Sequence, residues 1–426
     1  MIELPPKIDK RTLFSAMTKG IDSNIMPIVD KINDDYEYWD KVKYKKLPED
    51  ITPQKLWTLV KASRLRNMIP VWEKYRIKLC ITSQMQRLCH EFDMKFGSFW
   101  EVEGDTQSVE KKYYLSSSLM EEAIYSSKME GASTTRIVAK DMLRKKKSPQ
   151  NKSQQMIVNN YNTIQYIVEH KDEPLTEELL LTIHRLMTEK TMENSEEAGR
   201  FRTNDKVVVA DMVEGDIIYT PPSFQEIPEF VESLCDFFNN NSRTFIHPII
   251  RGIIVHFMLA FMHPFVDGNG RTARALFYWY MLKEGYKLTE YMSISRVIAN
   301  SKSNYEKAFR YVENDGNDIG YFVAYNLRAL EISFQQLRDY IQRKQREKRA
   351  ASSFMMAGNI NQRQALILQR LKEEPDTIFT VKDVQEQFSI SSMTARKDLS
   401  DLVKQHYLSE IALNKVTRGY IKMQEG

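Results

Sequence analysis

Two apolar runs dominate the middle of the chain. "HPIIRGIIVHFMLAF", residues 247–261, is apolar nearly all round and carries Pro248 where a first helical turn tolerates it. That pattern predicts a helix buried in a bundle. "ARALFYWYMLKEGY", residues 273–286, predicts a second such helix, ending near Gly285. Val323, Leu327, Leu330, Phe334, Leu337 and Ile341 alternate steps of four and three, one stripe on a long helix. The stripe decays into the charged "QRKQREKRAASS", which reads as a tether. Residues 1–111 carry amphipathic stretches such as "PQKLWTLVKASRLRNMI" and "SQMQRLCHEFDMKF" without a chemical motif, as a helical scaffold or docking region would. "EVEGDTQSVEKK" (101–112) reads as a linker and "RKKKSPQNKSQQ" (144–155) as a solvated basic loop. One β signal interrupts the helices. "KVVVADMVEGDIIYTPPS" (206–223) predicts strand, turn at Glu214–Gly215–Asp216, and strand. Pro221 and Pro222 then end it, because proline cannot donate to a ladder.

These patterns predict a mainly α chain in four parts: an N-terminal helical region (1–111), a core (112–345), a linker (346–357) and a small domain (358–426). At 426 residues, 42% hydrophobic and 28% charged, the composition is that of an ordinary globular protein. The first residues, "MIELPPKIDKRTLF", are mixed and charged, so no signal peptide is readable. His256, His263 and Arg274 interrupt the apolar runs, which argues against a membrane span and a membrane partner. Three distant cysteines, Cys80, Cys89 and Cys235, lack metal-ligand spacing and suit a reducing, cytoplasmic location. The net charge of +4 neither demands nor excludes nucleic acid.

Between the two buried helices stands the most polar cluster of the region, "HPFVDGNGRTAR", residues 263–274. The loop opens onto the start of a helix, where unpaired N–H groups and the dipole favour an anion. Gly268 and Gly270 let the backbone bend and approach a ligand. Arg271 and Arg274, three apart, share a helical face, and their planar forks suit phosphate oxygens. Asp267 is placed to hold Mg²⁺ together with substrate phosphates. His263 is the natural general base. His184 and His256 read as structural histidines.

Residues 263–274 resemble the defining motif of the Fic/Doc family, His-Pro-Phe-x-(Asp/Glu)-Gly-Asn-Gly-Arg-x-x-Arg, at every specified position. The resemblance covers about 112–340 and implies a Fic helical bundle with a β-hairpin flap. It implies transfer of AMP from ATP to a hydroxyl of a target protein, with self-modification and a homodimer left open. By position, His263 would deprotonate the hydroxyl and Phe265 anchor the loop. Asp267 would hold Mg²⁺. Gly268, Asn269 and Gly270 would cradle the anion, and Arg271 and Arg274 grip phosphates. The hairpin would be the flap that docks the target by strand addition, through Val207, Val208, Val209, Ile217, Ile218 and Tyr219. Asn160, Tyr161 and the "IHRLM" around His184 resemble packing positions of the fold.

Glu130 stands at an apparent helix end, before Gly131, where the dipole favours a cation. Ser126-x-x-x-Glu130-Gly131 resembles the family's N-terminal inhibitory motif. The resemblance implies that Glu130 pairs with Arg274 and blocks seating of the γ-phosphate. It leaves open whether the same glutamate serves removal of AMP from a modified target.

In the last part, "FTVKDVQEQFSISSMTARKDLSDLVKQHYL" (379–408) predicts helix, turn and helix, with Ser391 or Ser392 as the second N-cap. "LNKVTRGYIKM" adds a β-ribbon, giving a winged helix-turn-helix. "ISSMTARKDLSDLVK" resembles the recognition helix of DeoR-type regulators. DNA binding would bring Ser392, Thr394, Arg396 and Lys397 to the major groove. Acidic and basic residues nearly balance over 351–426, so a DNA-bound regulator and a protein-docking or dimerisation module both stay open.

Overall fold

The computed structural model describes residues 2–49, 51–98, 109–210, 217–240, 244–357, 360–373, 377–388, 390–413 and 417–423. The chain divides into two units, Met1–Phe334 and Gln335–Gly426.

The first unit begins with α1 (Lys10–Lys19), α2 (Met26–Asp34), α3 (Trp39–Val42) and α4 (Pro53–Arg66). Local chemistry starts them: the Asp9 carboxylate accepts from the Arg11 and Thr12 N–H groups, and Thr52 caps α4 with Pro53 at its first position. A hairpin follows, β1 (Met68–Trp72) with β2 (Ile77–Cys80), and then α5 (Ser83–Ser98). Helical periodicity does not anticipate this hairpin, whose strands are short and interrupted by Pro70. It is tied elsewhere: the Lys78 N–H donates to Asn317 O at 3.1 Å, and Lys78 O accepts from Ile319 N–H at 2.9 Å. Beside it lies a fully buried charge cluster. Lys61 Nζ is 2.7 Å from Asp315 and 3.4 Å from Asp318, and Arg64 donates to Asn33 Oδ1 at 2.9 Å and the Tyr321 hydroxyl at 2.6 Å. Buried charges persist only when compensated in this way.

The bundle comprises α6 (Val109–Met129), α7 (Arg136–Arg144), α8 (Lys152–Glu169), α9 (Glu177–Thr188), α10 (Ile227–Phe238), α11 (Pro248–Met262), α12 (Asn269–Lys283), α13 (Ile294–Asn300), α14 (Lys302–Asn314) and the start of α15 (Gly320–Ala357). Between α9 and α10 stand β3 (Val209–Ala210) and β4 (Ile217–Tyr219), paired antiparallel. The anticipated hairpin is therefore short. Val207 and Val208 precede the paired residues, and its turn, 214–216, lies outside the described residues. The two apolar runs form α11 and α12, packed closely because Gly252 has no side chain: a Cβ there would stand 3.0 Å from Tyr280 and 3.2 Å from Phe277. The stripe on α15 is buried from Val323 to Leu337. Residues 346–357, expected as a linker, continue α15 as helix. Gln, Arg, Lys, Glu and Ala are good helix formers, so a charged run need not unwind. Among the described residues no helix is long and apolar enough to cross a membrane.

The second unit contains the end of α15, then α16 (Gln362–Glu373), α17 (Val381–Phe388), α18 (Ser392–Lys404) and the hairpin β5 (Leu408–Ala412)–β6 (Arg418–Lys422). Ser391 caps α18, accepting from Thr394 N–H at 3.1 Å. Ala365, Leu371, Phe379, Val384, Leu399, Leu402 and Tyr420 share one core. Phe379 bridges Tyr420 through two backbone hydrogen bonds, so the hairpin closes over the helices. Asp398, buried on α18, accepts from Arg363 Nε at 2.6 Å and Asn361 Nδ2 at 2.8 Å.

Candidate active site

The polar loop joins α11 to α12. His263 ends α11 in the left-handed region (φ 45°), rare for a residue with a Cβ. Its Nδ1 faces the Ala260 carbonyl. A carbonyl only accepts, so Nδ1 carries the proton and Nε2 keeps its lone pair, the form a base needs. Burial and the Arg202 guanidinium pull the imidazole pKa down, while the Ala260 hydrogen bond and Glu130 push it up; the net shift is downward.

Phe265 is fully buried. Its ring stacks on His184 with centroids 3.7 Å apart, and Phe201 lies beyond it at 5.3 Å. The Asn269 side chain accepts from the Phe265 N–H at 3.0 Å and donates to its carbonyl at 2.8 Å, so this amide folds the loop rather than facing a ligand. Gly268, the N-cap of α12, has φ 82°. A Cβ there would stand 2.7 Å from Thr188 Cγ2 and 3.3 Å from His184 Nε2, so only glycine fits. The first-turn N–H groups of α12, at Asn269, Gly270 and Arg271, have no intrahelical acceptor.

Arg271 is 1% exposed, donates to Met187 O at 3.1 Å, and leaves Nε and Nη2 buried without a hydrogen-bond partner. Such donors point to an anion. Asp267 is half-exposed; Oδ1 accepts from Gly268 N–H at 2.5 Å and Oδ2 is 3.5 Å from Arg271 Nη2. One open carboxylate beside an anion site fits a Mg²⁺ ion held mainly by substrate phosphates. Among the described residues no three His, Cys, Asp or Glu side chains gather as a cage.

Arg274 is also buried, and two of its guanidinium nitrogens are engaged. Nε donates to Ser126 Oγ at 2.9 Å, and Nη2 to Ser126 O at 2.8 Å and Glu130 Oε1 at 2.9 Å. Glu130 is the C-cap of α6. Gly131 N–H returns to Lys128 O and Ala132 N–H to Ser127 O, with Gly131 at φ 92°, the doubly bonded helix ending that requires glycine. The carboxylate of Glu130 lies against Gly270, where a Cβ would collide with Oε1. Burial pushes the Glu130 carboxyl up, yet Arg274, with Arg271 and His263, holds it below the usual range.

The structure therefore brings together His263, Asp267, Gly268, Asn269, Gly270, Arg271, Arg274, Ser126, Glu130 and Gly131. The hairpin reaches the same neighbourhood through the Tyr219 hydroxyl, which donates to Phe261 O at 2.8 Å. Ile217 is 64% exposed, and Ile218 is half-buried. Ser392, Thr394, Arg396 and Lys397 belong to the second unit, on α18.

Two further contributors stand outside the loop, His184, expected as a structural histidine, and Arg202, which no motif announces. His184 donates from Nε2 to Asp267 O at 2.8 Å and accepts at Nδ1 from Gly199 N–H at 3.0 Å, which fixes its neutral tautomer. Burial lowers its pKa to about 4. Arg202 donates from Nε to His263 O at 2.9 Å, and its own N–H donates to Pro264 O at 2.9 Å.

The Fic/DOC family model matches residues 174–281, and that of the DeoR-like helix-turn-helix domain matches residues 363–411. The chain is 39% identical over 90 residues to "Protein adenylyltransferase fic-1" of Caenorhabditis elegans, covering 21% of this chain and 16% of that relative. It is 31% identical over 116 residues to "Protein adenylyltransferase Fic" of Nematostella vectensis, covering 27% and 25%. The chain thus spans a quarter or less of the length of these curated relatives. A Fic family protein from Desulfovibrio desulfuricans G20 superposes with a TM-score of 0.53 at 17% identity, over 81% of this chain and 98% of that one. Fic-1 from C. elegans gives 0.50 at 18% identity, over 78% and 87%. At such identities the likeness is one of fold.

Proposed function

We propose, since this chain carries a Fic/DOC family domain across residues 174–281, that it transfers AMP from ATP to a hydroxyl side chain of a protein target. The observation that carries this is the pairing, across one loop and the helix start it opens onto, of a histidine whose Nε2 keeps its lone pair and an arginine with buried donors that lack a hydrogen-bond partner. The hydroxyl oxygen bonds to the α-phosphorus, its proton passes to His263 Nε2, and pyrophosphate leaves. Arg271 and the first turn of α12 hold the phosphates, chemistry that is mostly positioning and charge stabilisation. Asp267 would hold Mg²⁺, and the ion would supply positive charge against the phosphates. The exposed edge of β3–β4 receives the target strand.

In this reading the protein rests inhibited. Glu130 lies against Gly270 and occupies Arg274, competing with a phosphate for the same donors. Incorporation of label from α-labelled ATP with Mg²⁺, read as self-modification, tests the whole. Label is expected with Glu130→Gly and none with Glu130→Gly/His263→Ala. No label in any variant overturns it in favour of AMP removal or another donor. Three free cysteines support a reducing, cytoplasmic setting.

A second reading concerns the winged helix alone. Ser392, Arg396 and Lys397 are exposed on α18 and Thr394 is half-buried, an arrangement suited to duplex DNA. Salt-dependent binding of the full chain to duplex DNA, lost in Arg396→Ala/Lys397→Ala, is the expected result. No binding favours protein docking.

A further inference from the structure

We propose that Arg202 is a positioning residue that locks His263 and the β3–β4 hairpin into one unit, so that the base and a docked target strand keep a fixed spacing. The inference rests on the transfer reading above. Arg202 follows α9 and is 3% exposed. All three guanidinium nitrogens are used, none on the phosphate-binding groups. Nε holds the His263 carbonyl, as described. Nη1 donates to Asn204 O at 2.9 Å and Asp205 Oδ1 at 2.8 Å, and Nη2 to Pro222 O. The first two mark the entry to the hairpin and Pro222 its exit.

The exit is tied a second time. Asp205 accepts from Phe224 N–H at 2.6 Å and from the Ser223 hydroxyl at 3.0 Å. One buried fork thus joins the residue that carries the base to both feet of the hairpin. The Tyr219 hydroxyl adds a third tie at Phe261, two residues before His263. His263 sits in a sparsely populated backbone conformation, which persists only when its surroundings over-determine it. Lysine cannot replace the fork: its ammonium is a point, not a plane with donors on three sides. A loss of about 1 Å in such a register costs about a hundredfold in rate.

The test uses the full chain in the Glu130→Gly background. Arg202→Lys keeps the charge and removes the fork. Self-labelling at saturating ATP is expected to fall about a hundredfold, with the half-saturating ATP concentration unchanged within about twofold. Hydrogen exchange is expected to rise together in peptides covering 217–224 and 260–266, and not in α12. Arg202→Gln removes the charge as well. The groups facing His263 are the Ala260 carbonyl, Arg202 and, in the parent chain, Glu130. Losing the arginine raises the imidazole pKa, so the acid limb of the rate profile moves to higher pH in Arg202→Gln and stays in Arg202→Lys. If those variants do not fold, Asp205→Asn and Tyr219→Phe loosen single ties and are expected to deprotect 217–224. Unchanged or uncoupled exchange, or a change confined to ATP affinity, overturns the proposal. Coupled exchange in a protein whose Glu130→Gly form takes up no label would instead leave the clamp standing and sink the transfer reading.

Discussion

Arg274 gives Glu130 a hydrogen bond of 2.9 Å while its Nε and second Nη2 contact are spent on Ser126, 148 positions away in the chain. An acid and a hydroxyl from one helix ending thus occupy an arginine that the neighbouring helix start would otherwise turn on a ligand.

Removing the acid should release that arginine. A hydrogen bond to a charged group is worth about 1.5–3 kcal/mol, so Glu130→Gly is expected to raise AMP incorporation by about ten- to a hundredfold. Time courses of label uptake at matched protein and ATP concentrations check this. Equal rates would remove the inhibitory role.

Gly268→Ala should damage stability and activity together. The methyl would meet Thr188 and His184 at a φ of 82°, a strain of about 1–3 kcal/mol. Thermal unfolding should show a lower midpoint, and labelling in the Glu130→Gly background should drop. A midpoint equal to the parent's would mean that the loop has room the geometry denies.

Acid should weaken the fold through two histidines. Burial lowers His184 to about 4 and His256 to about 3, both depressed from 6.5. The unfolded chain then binds more protons between those values. Their contribution is complete above pH 6.5 and is lost as pH falls toward 4. Each proton changes stability by about 1.4 kcal/mol per pH unit. Urea midpoints should therefore decline from pH 7 to 5, and less steeply in His184→Gln. Parallel slopes would assign the acid sensitivity elsewhere.

Asp398→Ala should loosen the winged helix and spare catalysis. It strips Arg363 and Asn361 of their shared acceptor; with Arg363 partly exposed, a loss of about 2 kcal/mol is expected. Calorimetry should show an earlier transition for one unit, with self-labelling unchanged in the Glu130→Gly background. A fall in labelling would tie the two units together functionally.

The loop at 263–274 was legible because its chemistry is local: two apolar runs, glycines that break them, and charges confined between. Glu130 was legible for a similar reason, as an acid before a helix-ending glycine. Arg202 was not. His184 is legible as a structural histidine, but its contact with the Asp267 carbonyl, like that of Arg202 with the His263 carbonyl, spans 83 or 61 positions, and no nearby pattern announces such a contact. The Asn269 side-chain amide is taken by Phe265 within the loop, which leaves its backbone N–H at the start of α12 as the group that can face an anion. The β1–β2 hairpin has no clear sequence signal because Pro70 breaks the alternation, and its ties run to residues 317 and 319. The charged run after Ile341 resembles a tether by its charge alone, whereas the helix propensity of its Gln, Arg, Lys, Glu and Ala continues α15.

The buried cluster of Lys61, Arg64, Asp315 and Asp318 sets where this protein can be cut. A fragment trimmed to begin near residue 112 would keep the two carboxylates, strip away the residues that bury them, and discard both cations that neutralise them. Tyr36, whose hydroxyl donates to Asp318 at 2.5 Å, would go with them. The smallest piece that can be lifted out intact for crystallisation or grafting therefore retains the N-terminal helices, as foundation rather than ornament.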